Sequence, residues 1–156
     1  MKMNKSAAFF VALAYLVPVA QATQFSPQAL HAMQQAGKNL VAQAKILRPY
    51  RLASGKCLNA GGVVTIENCN GTPSQNWKFS PGGQFANQGG TCLTLLGALA
   101  TVAACQGTAR FTWIPTQEGA LVHSSGKCLT ASHDLNRVGG MVMVAPCNGG
   151  PAQIWK

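Results

Sequence analysis

The sequence predicts an all-β domain built from three copies of one unit and preceded by a short N-terminal α-helix. Three tryptophans each stand eight residues after a cysteine: Trp77 after Cys69, Trp113 after Cys105 and Trp155 after Cys147. Upstream of each pair a second cysteine is followed by leucine, in Gly55-Lys56-Cys57-Leu58, Gly90-Thr91-Cys92-Leu93 and Gly126-Lys127-Cys128-Leu129. The tryptophans are separated by 36 and then 42 residues, so the third copy carries six more residues than the second. Fixed offsets in three copies are the mark of a repeat architecture. Residues 63–66, 92–96 and 141–144 have strand composition, and Gly-Gly pairs at 61–62, 82–83, 89–90, 139–140 and 149–150 punctuate them. A unit of a few short strands cannot bury its apolar face alone, whereas three units around a pseudo-threefold axis share one core. Tyr50, Phe85 and Leu121, each seven residues before the first cysteine of its copy, are candidates for that core.

Two segments precede the repeats. Lys2 and Lys5 stand before an uncharged apolar run over residues 7–20, and Ala20-Gln21-Ala22 has the small-x-small form of a cleavage site. Residues 1–22 are therefore expected to be a secretory signal peptide, the run being short for a bilayer span. An extension over 23–48 follows, with a helix predicted over 26–47. Ser26 suits the N-cap, Pro27 the first turn, and Pro49 ends the helix. Leu30, Met33, Leu40, Val41, Ala44 and Leu47 recur at helical spacing. Such a stripe must be covered by the domain's own surface, a partner subunit or a membrane interface.

Charge and cysteine usage bound the function. The formal net charge of +9 falls to +7 once Lys2 and Lys5 are removed, against only Glu67, Glu118 and Asp134. Such a surface attracts anionic partners. Apart from Lys38, Lys45, Arg48 and Arg51 the basic residues are scattered, and no aromatic-interleaved tract suggests nucleic acid. No later stretch is apolar enough for a transmembrane segment. All six cysteines lie in the repeats, and the repeat selects one of their fifteen pairings: Cys57–Cys69, Cys92–Cys105 and Cys128–Cys147. Neither Cys-x-x-Cys nor His-x-x-x-His spacing occurs, so no metal and no cofactor is expected. The three acids fall in different segments of the repeat, and His133-Asp134 has neither a nucleophile-elbow serine nor a free thiol beside it, which argues against catalysis.

Three copies of Cys-Leu … Cys … Gln-x-Trp resemble the ricin B-type β-trefoil lectin family, over residues 49–156. Gln75-Asn76-Trp77 and Gln153-Ile154-Trp155 fit the Gln-x-Trp motif, and the middle copy reads Phe111-Thr112-Trp113. The resemblance implies a β-trefoil in which Trp77, Trp113, Trp155, Gln75 and Gln153 are structural. It also implies a carbohydrate or glycoconjugate ligand. The sugar-contacting positions, however, depart from the family. The aspartate two residues after the first cysteine is replaced by Asn59, Thr94 and Thr130, and the stacking aromatic two before the second cysteine by Glu67, Ala103 and Ala145. The glutamine four before that cysteine gives way to Thr65, Thr101 and Met143, and the asparagine preceding Gln-x-Trp to Ser74, Arg110 and Ala152. The family's pockets are walled by a long loop between the cysteines. Their separation is 12, 13 and 19 residues in the three copies, so only the third keeps it.

Two remnants are candidate carbohydrate contacts: Asn59 with Glu67 in copy one, and Asp134, Asn136 and Arg137, beside His133, in the long loop of copy three. A cationic, hydrogen-bonding loop suits an acidic glycan. The expected function is a secreted or periplasmic, non-catalytic lectin. The rival is a protein–protein module that docks a partner through helix 26–47. In that form the chain looks similar to the targeting subunits of bacterial multi-subunit toxins such as the cytolethal distending toxins, which use degenerate trefoils with extensions outside them.

Overall fold

The repeated leucine and tryptophan of each copy meet inside the molecule, and this meeting defines the fold. In the computed structural model, which describes residues 27–156, the indole Nε1 of Trp77 donates to the Leu58 carbonyl (3.0 Å), that of Trp113 to Leu93 (3.0 Å) and that of Trp155 to Leu129 (3.1 Å). All six side chains are buried. Each tryptophan thus fills the core and satisfies its one polar group on the residue after the first cysteine, which accounts for both halves of the repeat motif.

After helix α1 (Pro27–Ala44), copy one contributes β1 (Arg48–Pro49), β2 (Cys57–Asn59), β3 (Thr65–Glu67) and β4 (Asn76–Phe79). Copy two contributes β5 (Phe85–Asn87), β6 (Thr91–Leu96), β7 (Leu99–Ala104) and β8 (Trp113–Pro115). Copy three contributes β9 (Leu121–His123), β10 (Cys128–Ala131) and β11 (Gly140–Ala145). Strand β3 starts two residues later than the 63–66 run suggests, because the bend at Gly61-Gly62 includes Val63, and Val64 bonds to Ala100 and Val142 of the other copies rather than within its own hairpin.

Antiparallel pairing of β1 with β4, β4 with β5, and β8 with β9 builds most of a ring. A bridge between Gln84 and Thr112 joins copy two to itself. The final residues take the twelfth place: Trp155 N donates to Gly119 O (2.9 Å), and Arg51 and Lys156 exchange backbone bonds of 2.7 and 2.8 Å. The ring is closed, so it leaves no edge strand unpaired. The hairpins β2–β3, β6–β7 and β10–β11 cap one end and contact one another through β3–β11 and β7–β11 pairing and a Val64 N to Ala100 O bond of 2.9 Å. This is a β-trefoil.

Tyr50, Phe85 and Leu121 are buried at equivalent places in the ring. Phe85 is the centre of an aromatic cluster, edge-on to Tyr50 at 4.8 Å and stacked on Trp77 at 5.0 Å. The Arg48 guanidinium lies 4.3 Å from the Tyr50 ring centre. Burial pushes the Tyr50 phenol above its ordinary value, and Arg48 pulls it back only in part. The three disulfides join Cys57–Cys69, Cys92–Cys105 and Cys128–Cys147, each within one copy.

The helix ends three residues before the predicted 47, and Arg48–Pro49 is already strand. Within its apolar stripe Leu30 is 53% exposed and Met33 58%. The expected signal peptide over 1–22 and the Ser26 N-cap lie outside the described residues.

Candidate functional site

The candidate residues are set by the pairing of β2 with β3. Register places Cys57 opposite Glu67 and Asn59 opposite Thr65, so these four share one face of the hairpin, while Leu58 and Ile66 point into the core. On that outer face Thr65 Oγ1 donates to Glu67 Oε1 (3.0 Å) and Ser74 Oγ donates to Asn59 Oδ1 (3.0 Å). Those bonds use one side-chain atom of each candidate. Asn59 and Glu67 are both half-buried.

The equivalent positions of the other copies serve the fold. Thr94 is buried, and its hydroxyl donates to the Arg110 carbonyl (3.3 Å). Thr130 Oγ1 donates to the Cys128 carbonyl (2.8 Å) and accepts from Gln153 Nε2 (3.0 Å). With alanine at 103 and 145, neither face offers an aromatic platform or a carboxylate. Shallow sugar sites need such orienting groups.

Gln75 and Gln153 are buried and pin the loop that follows the second cysteine. Gln75 Oε1 accepts from Asn70 N (2.8 Å) while its amide donates to Asn68 O (3.0 Å). Gln153 repeats this with Asn148 N (2.7 Å) and Pro146 O (2.9 Å). In copy two the buried Phe111 takes the glutamine's place, and the adjacent Arg110 extends its guanidinium to the Leu95 carbonyl through Nε (3.2 Å) and Nη2 (2.7 Å).

The long loop of copy three does not stand over its own hairpin alone. Asp134 organises it: Asn136 N donates to Asp134 Oδ1 (3.1 Å) and Arg137 N to Asp134 O (3.2 Å). Leu135 packs against the core, and its carbonyl accepts from Ser54 Oγ of copy one (2.7 Å). Gly139 N donates to Ile66 O (2.9 Å), and a Cβ added at Gly139 would stand 4.0 Å from Glu67 Oε1. The loop therefore abuts the Glu67 face. Across the seam between copies one and three, the hairpin that carries Asn59 and Glu67 thus adjoins the loop that carries the exposed Asp134, Asn136 and Arg137.

Sequence reasoning places these residues in two separate copies and misses their adjacency, since nothing in the spacing shows on which neighbour the insertion lies. It also passes over Arg110. The signal available was the substitution of a long cation at a position where the other copies hold Ser74 and Ala152. Among the described residues, no group of three His, Cys, Asp or Glu is placed to hold a metal ion. No described helix is long and apolar enough to cross a membrane.

Comparison with solved structures gives the same architecture. The hemolytic lectin CEL-III superposes with a TM-score of 0.63 at 21% identity, over 71% of this chain and 29% of that one. The C-half of an earthworm R-type lectin, solved in complex with GalNAc, gives 0.63 at 14% identity, over 70% and 95%. The β-trefoil lectin of the Vibrio vulnificus hemolysin/cytolysin, with N-acetyl-D-lactosamine bound, gives 0.57 at 20% identity, over 70% and 91%. At these identities the likeness is one of fold, and the chain spans less than a third of the hemolytic lectin's length. No curated protein sequence matches the chain. Residues 47–155 match the ricin-type beta-trefoil lectin domain, a carbohydrate-binding family, and the chain belongs to that family.

Proposed function

We propose that this chain is a secreted, non-catalytic carbohydrate-binding protein whose contacts lie at the seam between copies one and three. The observation that supports this most is the seating of the copy-three loop beside Glu67, through the Ser54–Leu135 and Gly139–Ile66 bonds. It sets the loop that carries Asp134, Asn136 and Arg137 beside the hairpin that carries Asn59 and Glu67, so that two amides, two carboxylates and a guanidinium stand at one seam although no single copy keeps the family's set. Three disulfides and the apolar run over 7–20 support an oxidising, secreted location.

Without a stacking ring, neutral galactosides should bind at about 1 mM or more weakly, which corresponds to only ~4 kcal/mol. Tighter binding is expected for acidic glycans and should weaken as salt screens the +7 surface. Calorimetry with acidic glycans should show Arg137→Ala weakening binding more than Asn59→Ala. Tight, salt-insensitive binding of free galactose or lactose would overturn this reading.

A second reading rests on the exposed Leu30 and Met33: the helix docks a partner subunit and the trefoil is its rigid carrier. A chain shortened to begin near Arg48 should then remain soluble and unfold cooperatively, because the ring is complete from β1 onward. Its aggregation would show that the helix belongs to the domain's own packing, and the docking reading would fail.

A further inference from the structure

We propose that the groove between copies two and three is an anion-binding site, built by Arg110 and Lys127 to hold the sulfate or carboxylate group of an acidic saccharide. The proposal relies on the carbohydrate reading for the identity of its ligand but not for the anion itself.

The groove has a volume of about 390 Å³ and runs from the β6–β7 hairpin of copy two to the β9–β10 turn of copy three, so that of the family's sugar-contacting positions only the one held by Arg110 lines it. Its floor is apolar, from Leu95, Ala98 and Val144. Arg110 and Lys127 both line it and both are exposed, and none of Glu67, Glu118 or Asp134 does. Two cations share a concavity without a carboxylate to neutralise them, which leaves a field that an anion can satisfy. The two bonds from Arg110 Nε and Nη2 to the Leu95 carbonyl fix the guanidinium plane at the rim. The second terminal nitrogen, Nη1, is not used by that carbonyl. A guanidinium held in this way is pre-organised for an oxyanion, and Lys127 adds a mobile point charge.

His123 braces the wall. It is buried, and its Nε2 lies 3.1 Å from the Arg110 carbonyl, a contact that only an N–H can make favourable. Its Nδ1 then accepts from the Ser125 backbone N–H (3.2 Å). The imidazole thereby ties the Arg110 backbone to the turn that carries Lys127.

The other two copies show that the fold does not require this arrangement. The equivalent groove between copies one and two holds Ser74, Asn87 and Thr91 in place of Arg110, His123 and Lys127, and Asn87 bonds Thr91 instead (2.6 Å). Between copies three and one stand Ala152, Leu52 and Lys56, and the Lys56 ammonium is taken up by Asn68 Oδ1 (2.9 Å). Only one of three related grooves combines two cations with a polar brace, so the combination is not a by-product of the repeat.

The test compares galactose 6-sulfate with galactose, and 3′-sialyllactose with lactose, by calorimetry at low salt. In parallel, inorganic sulfate is titrated at constant ionic strength while the Ser125 and Lys127 amide resonances are followed. At least one acidic saccharide should bind about tenfold tighter than its neutral counterpart, the worth of one charge-assisted contact. Which pair shows the difference tells sulfate from carboxylate. Arg110→Gln and Lys127→Gln should each lower that ratio several-fold and abolish the sulfate-induced shifts, whereas Arg137→Ala should leave those shifts in place. Lys78→Gln, which removes the same charge on exposed β4, should leave both unchanged. Sulfate shifts that depend on Arg110 and Lys127 without any saccharide binding would defeat the carbohydrate reading and keep the anion site. Saccharide binding indifferent to both variants, with no localised sulfate shift, would overturn the anion site and leave the carbohydrate reading standing. Absence of both signals would sink both.

Discussion

Truncating Trp77, Trp113 or Trp155 to alanine is expected to destabilise the domain by about 3–5 kcal/mol, read as a fall in the urea midpoint. Each indole is buried in the shared core and is the donor to the carbonyl of Leu58, Leu93 or Leu129. Truncation opens a cavity and also strands a buried carbonyl, and both effects act in the same direction. Phenylalanine in the same place keeps most of the volume but not the N–H, so it should cost only about 1–3 kcal/mol. The difference between the two variants separates packing from hydrogen bonding. Losses should be similar in the three copies, because the geometry is. A truncation within ~0.5 kcal/mol of the parent, as at an exposed site, would show that its copy does not share the core.

Reducing the disulfides is expected to abolish cooperative unfolding near body temperature. The bridges close segments of 12, 13 and 19 residues, for which loop-closure entropy gives about 3 kcal/mol each. Together they are comparable with the whole stability of a typical small domain, ~5–15 kcal/mol. Thermal scans with and without a thiol reductant would measure this. A reduced protein melting within a few degrees of the oxidised one would show that the strands need no staples. Peptide mapping without reduction should find three bridges, each inside one copy.

The repeat made most of the fold legible. Cysteine, leucine and tryptophan at fixed offsets carry a packing unit, and the buried positions Tyr50, Phe85 and Leu121 follow from the same register. What lies between copies was not legible. Leu135 accepts a bond from Ser54, and Arg110 lines one groove with Lys127, in arrangements that cross from one copy to the next. A periodic pattern describes each copy against itself and says little about its neighbours. The middle copy is instructive. Loss of its glutamine to Phe111 reads as decay, yet Phe111 is buried where Gln75 and Gln153 are, and Arg110 has acquired a fixed position beside it. The helix stripe was legible as a pattern, but periodicity alone could not tell that Leu30 and Met33 would remain uncovered.

The bonds between Arg51 and Lys156 have a consequence for the order of folding. They join one side of the ring to a residue synthesised more than a hundred positions later, a pairing of the highest sequence separation the domain contains. Closing so long a loop is entropically slow, and rates fall as such contacts come to dominate. The staples have the opposite character, since each closes within one copy. Oxidation can therefore precede ring closure, and the bridge of copy one can form while copy three is still unfolded. The search then shrinks from an unrestrained polymer to the docking of three pre-tied segments, with residue 156 as the latch.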